Sequence, residues 1–161
     1  MSVEKFLDHN EWFAGLPGVV IAAGALITDP AGRVLLVKPN YRDFWTVPGG
    51  ICEHGEPPHV GCAREVAEEI GLELGVGALL AIDWAQPYGP EARPIMHFLF
   101  DGGAIEDGAG IVLQREELDD FRFTDPAEVS GYLAPYGVRR VAAALEGRAS
   151  GAAVYQPTRA I

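Results

Sequence analysis

The chain has 161 residues, 48% of them hydrophobic and 22% charged, and 23 Asp and Glu against 12 Lys and Arg give it a formal net charge of −11. Such a length and composition predict one globular domain, large enough to bury its own core. The acidic balance argues against a nucleic-acid backbone or an anionic membrane as partner, and an anionic substrate would need a cation beyond the protein's own surface to hold it.

Residues 1–18 read as an N-terminal extension that opens acidic and aromatic rather than basic, so no leader pattern is expected. The longest apolar run, "VVIAAGALI" at 19–27, is too short to cross a bilayer. Two cysteines, Cys52 and Cys62, are too few for a disulfide framework. A cytoplasmic protein is the expectation. Residues 19–28 and 33–38 read as strands around the turn "DPAG", which predicts a hairpin. A third short strand is expected at 44–47, running into Pro48-Gly49-Gly50. Then comes a helix with Pro57 and Pro58 in its first turn and Gly71 as its C-cap. "LLAIDWA" and "PIMHFLF" read as strands around the turn-rich "QPYGPEAR", followed by a weaker strand at "IVL" and another at "FRFT". Residues 126–133 and 138–145 look helical, and the tail 147–161 reads as either an extra strand or a frayed end. Interleaved strands and helices predict an α/β fold with a mixed sheet covered by helices.

The helix before Gly71 carries an unusual charge pattern. At about 100° per residue, Glu65, Glu68 and Glu69 fall within roughly a 100° arc, while Val60, Ala63, Val66, Ala67 and Ile70 lie opposite. Like charges four residues apart repel, and Glu68 and Glu69 sit near the end where the macrodipole disfavours anions. No Lys or Arg follows four residues after any of the three. Each penalty is only some tenths of a kcal/mol, and by itself such a face is more often just solvated. The sharper reading is that divalent cations complete it, since hard oxygen ligands suit magnesium or manganese with substrate phosphates filling other positions.

The surrounding pattern favours the sharper reading. Gly50, five residues, Glu56, seven residues, then "REVAEEIGL" from Arg64 to Leu72 matches the signature called the Nudix box at every defined position. Seven fixed identities and two aliphatic positions would arise by chance about once in ten million chains of this size, with residue frequencies near 0.07. The chain therefore resembles the Nudix hydrolase superfamily, and the order of its strands extends that resemblance from about residue 19 to 145, as a Nudix-type α/β/α sandwich. The resemblance implies hydrolysis of a nucleoside diphosphate linked to another moiety, by attack of water at phosphorus. It implies Mg2+ or Mn2+ held by Glu65, Glu68 and Glu69 with the Gly50 carbonyl, and a pairing of Arg64 with Glu56 that orients these ligands. A homodimer is plausible on the same ground, with "EWFAGLPG" at 11–18 as an interface or exchanged segment.

The general base is either Glu65 in the box or a carboxylate of "LQREELDDFRF", where Glu117 is favoured slightly over Glu116 and a solvated loop is an equal alternative. Pro87 falls fifteen residues after Leu72, a position where proline resembles the mark of ADP-ribose-type pyrophosphatases, yet Tyr88 beside it resembles the diadenosine polyphosphate hydrolases. Tyr41, Trp45, Trp84 and Tyr88 could stack on a base, against a two-to-one preference for plain packing, and Arg42 or Arg93 could meet a terminal phosphate. His54, His59 and His97 could titrate near neutrality, but His97, in the alternating "IMHFLF", is first a half-buried structural residue. The leading reading is a nucleotide-directed pyrophosphohydrolase of the ADP-ribose or nucleotide-sugar type. Nucleoside triphosphate or dinucleoside polyphosphate hydrolysis stands beside it. A non-catalytic nucleotide-sensing domain is the alternative of another class. An isopentenyl diphosphate type of isomerase ranks low, because no cysteine precedes Cys52.

Overall fold

A computed structural model of the chain describes residues 8–86, 89, 92–106, 108 and 110–158. A short helix, α1 (His9–Ala14), contributes no buried residue, and its Trp12 and Phe13 stay half-exposed. Strands β1 (Val20–Thr28) and β2 (Val34–Pro39) form the hairpin expected around "DPAG". The turn is tied by Asp29, whose Oδ1 accepts from the Arg33 amide and whose Oδ2 accepts from Nε of Arg33.

The remaining elements are β3 (Gly49–Ile51), α2 (Pro58–Ile70), β4 (Leu79–Ala85), β5 (Ile95–Ala104), β6 (Leu118–Thr124), a 3-10 turn (Val129–Gly131), α3 (Pro135–Ser150) and β7 (Val154–Thr158). The sheet runs β6-β2-β1-β5-β4-β7, with β3 pairing β1 off that path. Pairings β1·β5 and β4·β7 are parallel and the others antiparallel, so the sheet is mixed as the sequence predicts.

The apolar run in β1 is buried on both sides because β1 is central. Leu26 points into a core with Leu36, Leu99 and Val141 beneath α3, while Ala23, Ala25 and Ile27 join Val66, Ile70 and Cys62 beneath α2. Alternation within one strand thus feeds two cores, and the result is the expected α/β/α sandwich. Among the described residues no helix is long and apolar enough to cross a membrane.

Four local expectations are corrected. Residues 44–47 make only isolated bridges, Thr46 with Val37 and Trp45 with Leu133, and the strand begins after Pro48. "IVL" is not a strand. It folds over the end of α2, where the Val112 and Gln114 amides donate to the carbonyls of Ile70 and Glu69, which would otherwise be orphaned at the helix end. Residues 126–133 hold only the 3-10 turn, and α3 both starts earlier and ends later than 138–145. Of the two readings of the tail, the extra strand is the one found: α3 continues through Ser150 and β7 adds a parallel edge strand to β4.

Candidate active site

Helix α2 is bounded as its sequence dictates. Pro58 has no amide to leave unpaired at the first turn, and Gly71 takes φ +70°, where its N–H reaches the Ala67 carbonyl. The buried side runs through Cys62, Val66 and Ile70, rotated from the face expected, so that Val60 is exposed and Glu69 is drawn inward. The three carboxylates are therefore unequal. Glu68 is about half exposed, Glu65 is mostly covered, and Glu69 is only 7% exposed.

Arg64 holds this face together. Its Nε and Nη2 donate to the two oxygens of Glu56, each at 2.9 Å, and Nη2 also reaches the Ile51 carbonyl at 3.2 Å. Its Nη1 donates to Glu65 and to Glu68 at 3.0 Å each. The cation that relieves the glutamate repulsion thus precedes Glu68 by four residues, rather than following it. The Glu53 amide adds a further bond to Glu56. Hydrogen bonding to Arg64 is the main cause that lowers the Glu56 carboxyl to about 2. The loop 51–56 is in this way fastened to the helix.

The other two box carboxylates shift the opposite way. Burial raises Glu69 to about 8, with the charges of Glu65 and Glu117 adding to the rise and a 2.8 Å bond from the Gly49 amide opposing it. Burial also raises Glu65, against the pull of Arg64. Gly50 makes room for this arrangement, since a Cβ there would lie 2.5 Å from the Glu65 carboxyl carbon. Gly50→Ala is expected to displace Glu65 and lower kcat/KM by about a hundredfold, the scale of a 1 Å misplacement. Retained activity in a folded Gly50→Ala protein would show that Glu65 can move without cost.

These groups open on a cavity of about 770 Å³. Its wall takes Gly50, Arg64, Glu65, Glu68 and Glu69 from the box region, Arg42 and Tyr41 from the loop after β2, Glu117 from the turn before β6, and Tyr136 and Arg140 from α3. Asn40 joins the two loops, its amide donating to the Glu117 carbonyl at 2.9 Å and its Nδ2 to the Glu116 carbonyl at 2.8 Å. Glu117 lines the cavity and Glu116 does not. Arg42 stacks on Tyr41 at 4.9 Å and donates to its hydroxyl.

The other expected contacts fall elsewhere. Trp45 packs edge-on against Tyr132 at 5.9 Å, with Arg122 over both rings, and does not reach the cavity. Trp84 is half-buried on β4 and also off the cavity wall, and Arg93 lies beside Gly18. Pro87 and Tyr88 lie outside the described residues.

Residues 19–144 match the family model of the NUDIX domain. The chain is a Nudix hydrolase family member. It is 30% identical over 128 residues to a MutT-like protein of Streptomyces ambofaciens, covering 80% of this chain and 77% of that one. It is 34% identical over 98 residues to human diphosphoinositol polyphosphate phosphohydrolase 3-alpha, covering 60% and 59%. Among solved structures, the MutT protein of Methanosarcina mazei Go1 shares the fold with a TM-score of 0.67 at 23% identity, covering 84% of this chain and 96% of that one.

The Nudix box accounts for one side of the cavity only. Sequence reasoning missed Arg140 and Tyr136 altogether and read His97 as structural, yet all three line the cavity. The available signal was Asp83, a charged residue in the otherwise apolar "LLAIDWA", whose burial to 1% requires a cationic partner. Arg140 is that partner.

Proposed function

We propose that the chain is a Mg2+- or Mn2+-dependent pyrophosphohydrolase that cleaves a nucleoside diphosphate linked to another moiety, with water attacking phosphorus. The observation that carries this reading is the gathering of Glu65, Glu68, Glu69 and Glu117 on one cavity with Arg42, whose positive charge acts on Glu69.

The donor chemistry fits a hard divalent cation. The carboxylates of Glu65, Glu68 and Glu69 and the Gly50 carbonyl are oxygen ligands, and the raised Glu69 marks a buried carboxyl that lacks a full positive counterpart. Among the described residues no three such side chains converge tightly enough to cage an ion alone. Magnesium keeps several waters and takes one or two carboxylates together with substrate phosphates, so it does not require such a cage. When bound, the cation would neutralise the diphosphate and lower the pKa of a bound water. The chain's own residues do the rest. Arg64 and Glu56 fix the loop and helix that carry the ligands. Arg42 meets a phosphate oxygen. Glu117, free of any cationic partner among the described residues, takes the proton of the attacking water, a role for which Glu65 is less suited because Arg64 engages it.

ADP-ribose and nucleotide sugars are the first substrates to test, on the ground of Pro87. The experiment is a hydrolysis panel of ADP-ribose, nucleotide sugars, diadenosine polyphosphates, and normal and oxidised nucleoside triphosphates, each with Mg2+ or Mn2+. Release of a nucleoside monophosphate from the first two classes is the expected result. A panel silent under both metals would remove the catalytic reading.

A further inference from the structure

Glu117 is held on the cavity wall through its backbone. Its side chain has no hydrogen-bond or ion-pair partner among the described residues. Its charge acts on Glu65 and Glu69, so like charges push it away from the wall. Something must hold the turn that carries it.

That turn lies where the β2–β6 ladder slips. The two strands pair regularly from Val34 with Thr124 to Lys38 with Asp120, and then shift so that Pro39 meets Leu118. Proline has no N–H to offer a neighbouring strand, and an irregularity of this kind re-aims the side chains beside it. Asn40 takes up the pairing again, its amide donating to the Glu117 carbonyl at 2.9 Å and its Nδ2 to the Glu116 carbonyl at 2.8 Å. Opposite a carbonyl only the Nδ2 side of the amide can serve, so the chemistry fixes which way it points.

The other side of the turn is tied to the box helix. The Gln114 carbonyl accepts from the amides of Glu117 and Leu118 at 3.0 and 2.9 Å, and the Gln114 amide donates to the Glu69 carbonyl at 3.0 Å. Residues 114–118 thus bridge α2 and the loop after β2. Lys38 secures the rest of that loop separately, its Nζ donating to the carbonyls of Pro39 and Arg42 at 2.8 and 2.6 Å.

We propose that Asn40 is a positioning residue for hydrolysis: its side-chain amide clasps the turn 114–118 to the loop after β2 and so keeps the Glu117 carboxylate on the cavity, without touching substrate itself. The proposal rests on the reading of Glu117 as the group that takes the proton of the attacking water. Asn40 is exposed and off the cavity wall, so its bond adds little net stability, because water takes its place when it is lost. What it fixes is a direction.

The test is turnover, with Mg2+, of ADP-ribose or whichever member of the panel above is cleaved, by the wild type, Asn40→Ala, Asn40→Asp, Asn40→Gln, Glu117→Gln and the double variant Asn40→Ala with Glu117→Gln. Amide hydrogen exchange at Glu117 and Leu118 is measured beside it. Asn40→Ala is expected to lower kcat about tenfold, less than a full 1 Å misplacement because the backbone bonds remain. KM should hold, since Lys38 keeps the Arg42 loop. Asn40→Asp, which matches the shape but sets an acceptor against the Glu116 carbonyl, should lose at least as much, and Asn40→Gln should regain part. Once Glu117 is glutamine, removing the Asn40 side chain should change kcat less than about twofold, because the two act as one unit. Exchange at Glu117 and Leu118 should quicken about tenfold in Asn40→Ala while the amides of β1 stay protected.

An unchanged kcat in Asn40→Ala, or a loss that multiplies with that of Glu117→Gln, overturns the proposal. A Glu117→Gln protein as active as the wild type overturns Glu117 as the base, and with it the catalytic role of Asn40. In a protein that cleaves nothing the hydrolase reading falls, and exchange then decides the clasp by itself: quickened, it stands, and unchanged, it is overturned.

Discussion

Glu69→Gln is expected to lower kcat/KM by about a thousandfold, within the range for groups whose charge acts in the transition state, while leaving the fold intact. Glutamine keeps an acceptor for the Gly49 amide, so the bond that seats the side chain against β3 survives. What it removes is the negative charge. In the metal-free protein that charge is costly, because burial raises the Glu69 carboxyl to about 8. A group whose folded pKa lies above its unfolded value near 4.5 binds its proton more tightly in the folded state, so it stabilises fully below about 4.5 and loses that stabilisation as pH rises through about 8. Thermal or denaturant unfolding of the metal-free wild type should therefore weaken between about pH 5 and pH 8. Glu69→Gln should flatten that slope, and Mg2+ or Mn2+ at pH 8 should raise the stability of the wild type more than that of the variant. If the two proteins show the same slope and the same response to metal, Glu69 is not a ligand.

Asp83→Ala is expected to cost about 3–5 kcal/mol, because it leaves the Arg140 guanidinium buried without its counter-charge. Against a total stability of about 5–15 kcal/mol for a domain of ordinary size, that is a large fraction. The cause can be separated from simple loss of packing. Asp83→Leu combined with Arg140→Met removes both charges at similar volume, and its stability should return to near the wild-type value. Denaturant unfolding of the single and double variants reads this directly. A single variant that loses under about 1 kcal/mol would mean that water reaches Arg140 and that the pair is not truly buried.

The sequence was most informative where one local rule governs. The hairpin at "DPAG", the helix between Pro57 and Gly71, and the buried run of β1 all follow from turn chemistry, capping and hydrophobic pattern, and all formed. It was least informative where an element is held by a distant one. "IVL" has the composition of a strand, but the free carbonyls at the end of α2 capture its amides before any sheet can. Residues 44–47 lie close to β2, yet the edge of β1 is given to β3, where Gly24 and Gly49 allow the backbones to meet.

The site divides in the same way. Glu56, Arg64, Glu65, Glu68 and Glu69 lie within fourteen residues on one loop and one helix, so their spacing alone placed them together and carried the family resemblance. Their inequality could not be read there. The hydrophobic pattern put all three glutamates of the helix on the outside, and only the packing of Cys62, Val66 and Ile70 against the sheet rotated Glu69 inward and raised its carboxyl. Glu117 could be preferred to Glu116 from sequence only by a slight margin, and the two bonds from Asn40, 76 and 77 positions away, set which of them faces the cavity. Asp83 and Arg140 are 57 residues apart and join across a helix and a strand. Chemistry confined to one segment is therefore fixed by the sequence itself, whereas the choice of what fills the rest of the cavity depends on contacts between segments, which exist only once the sheet has brought them together.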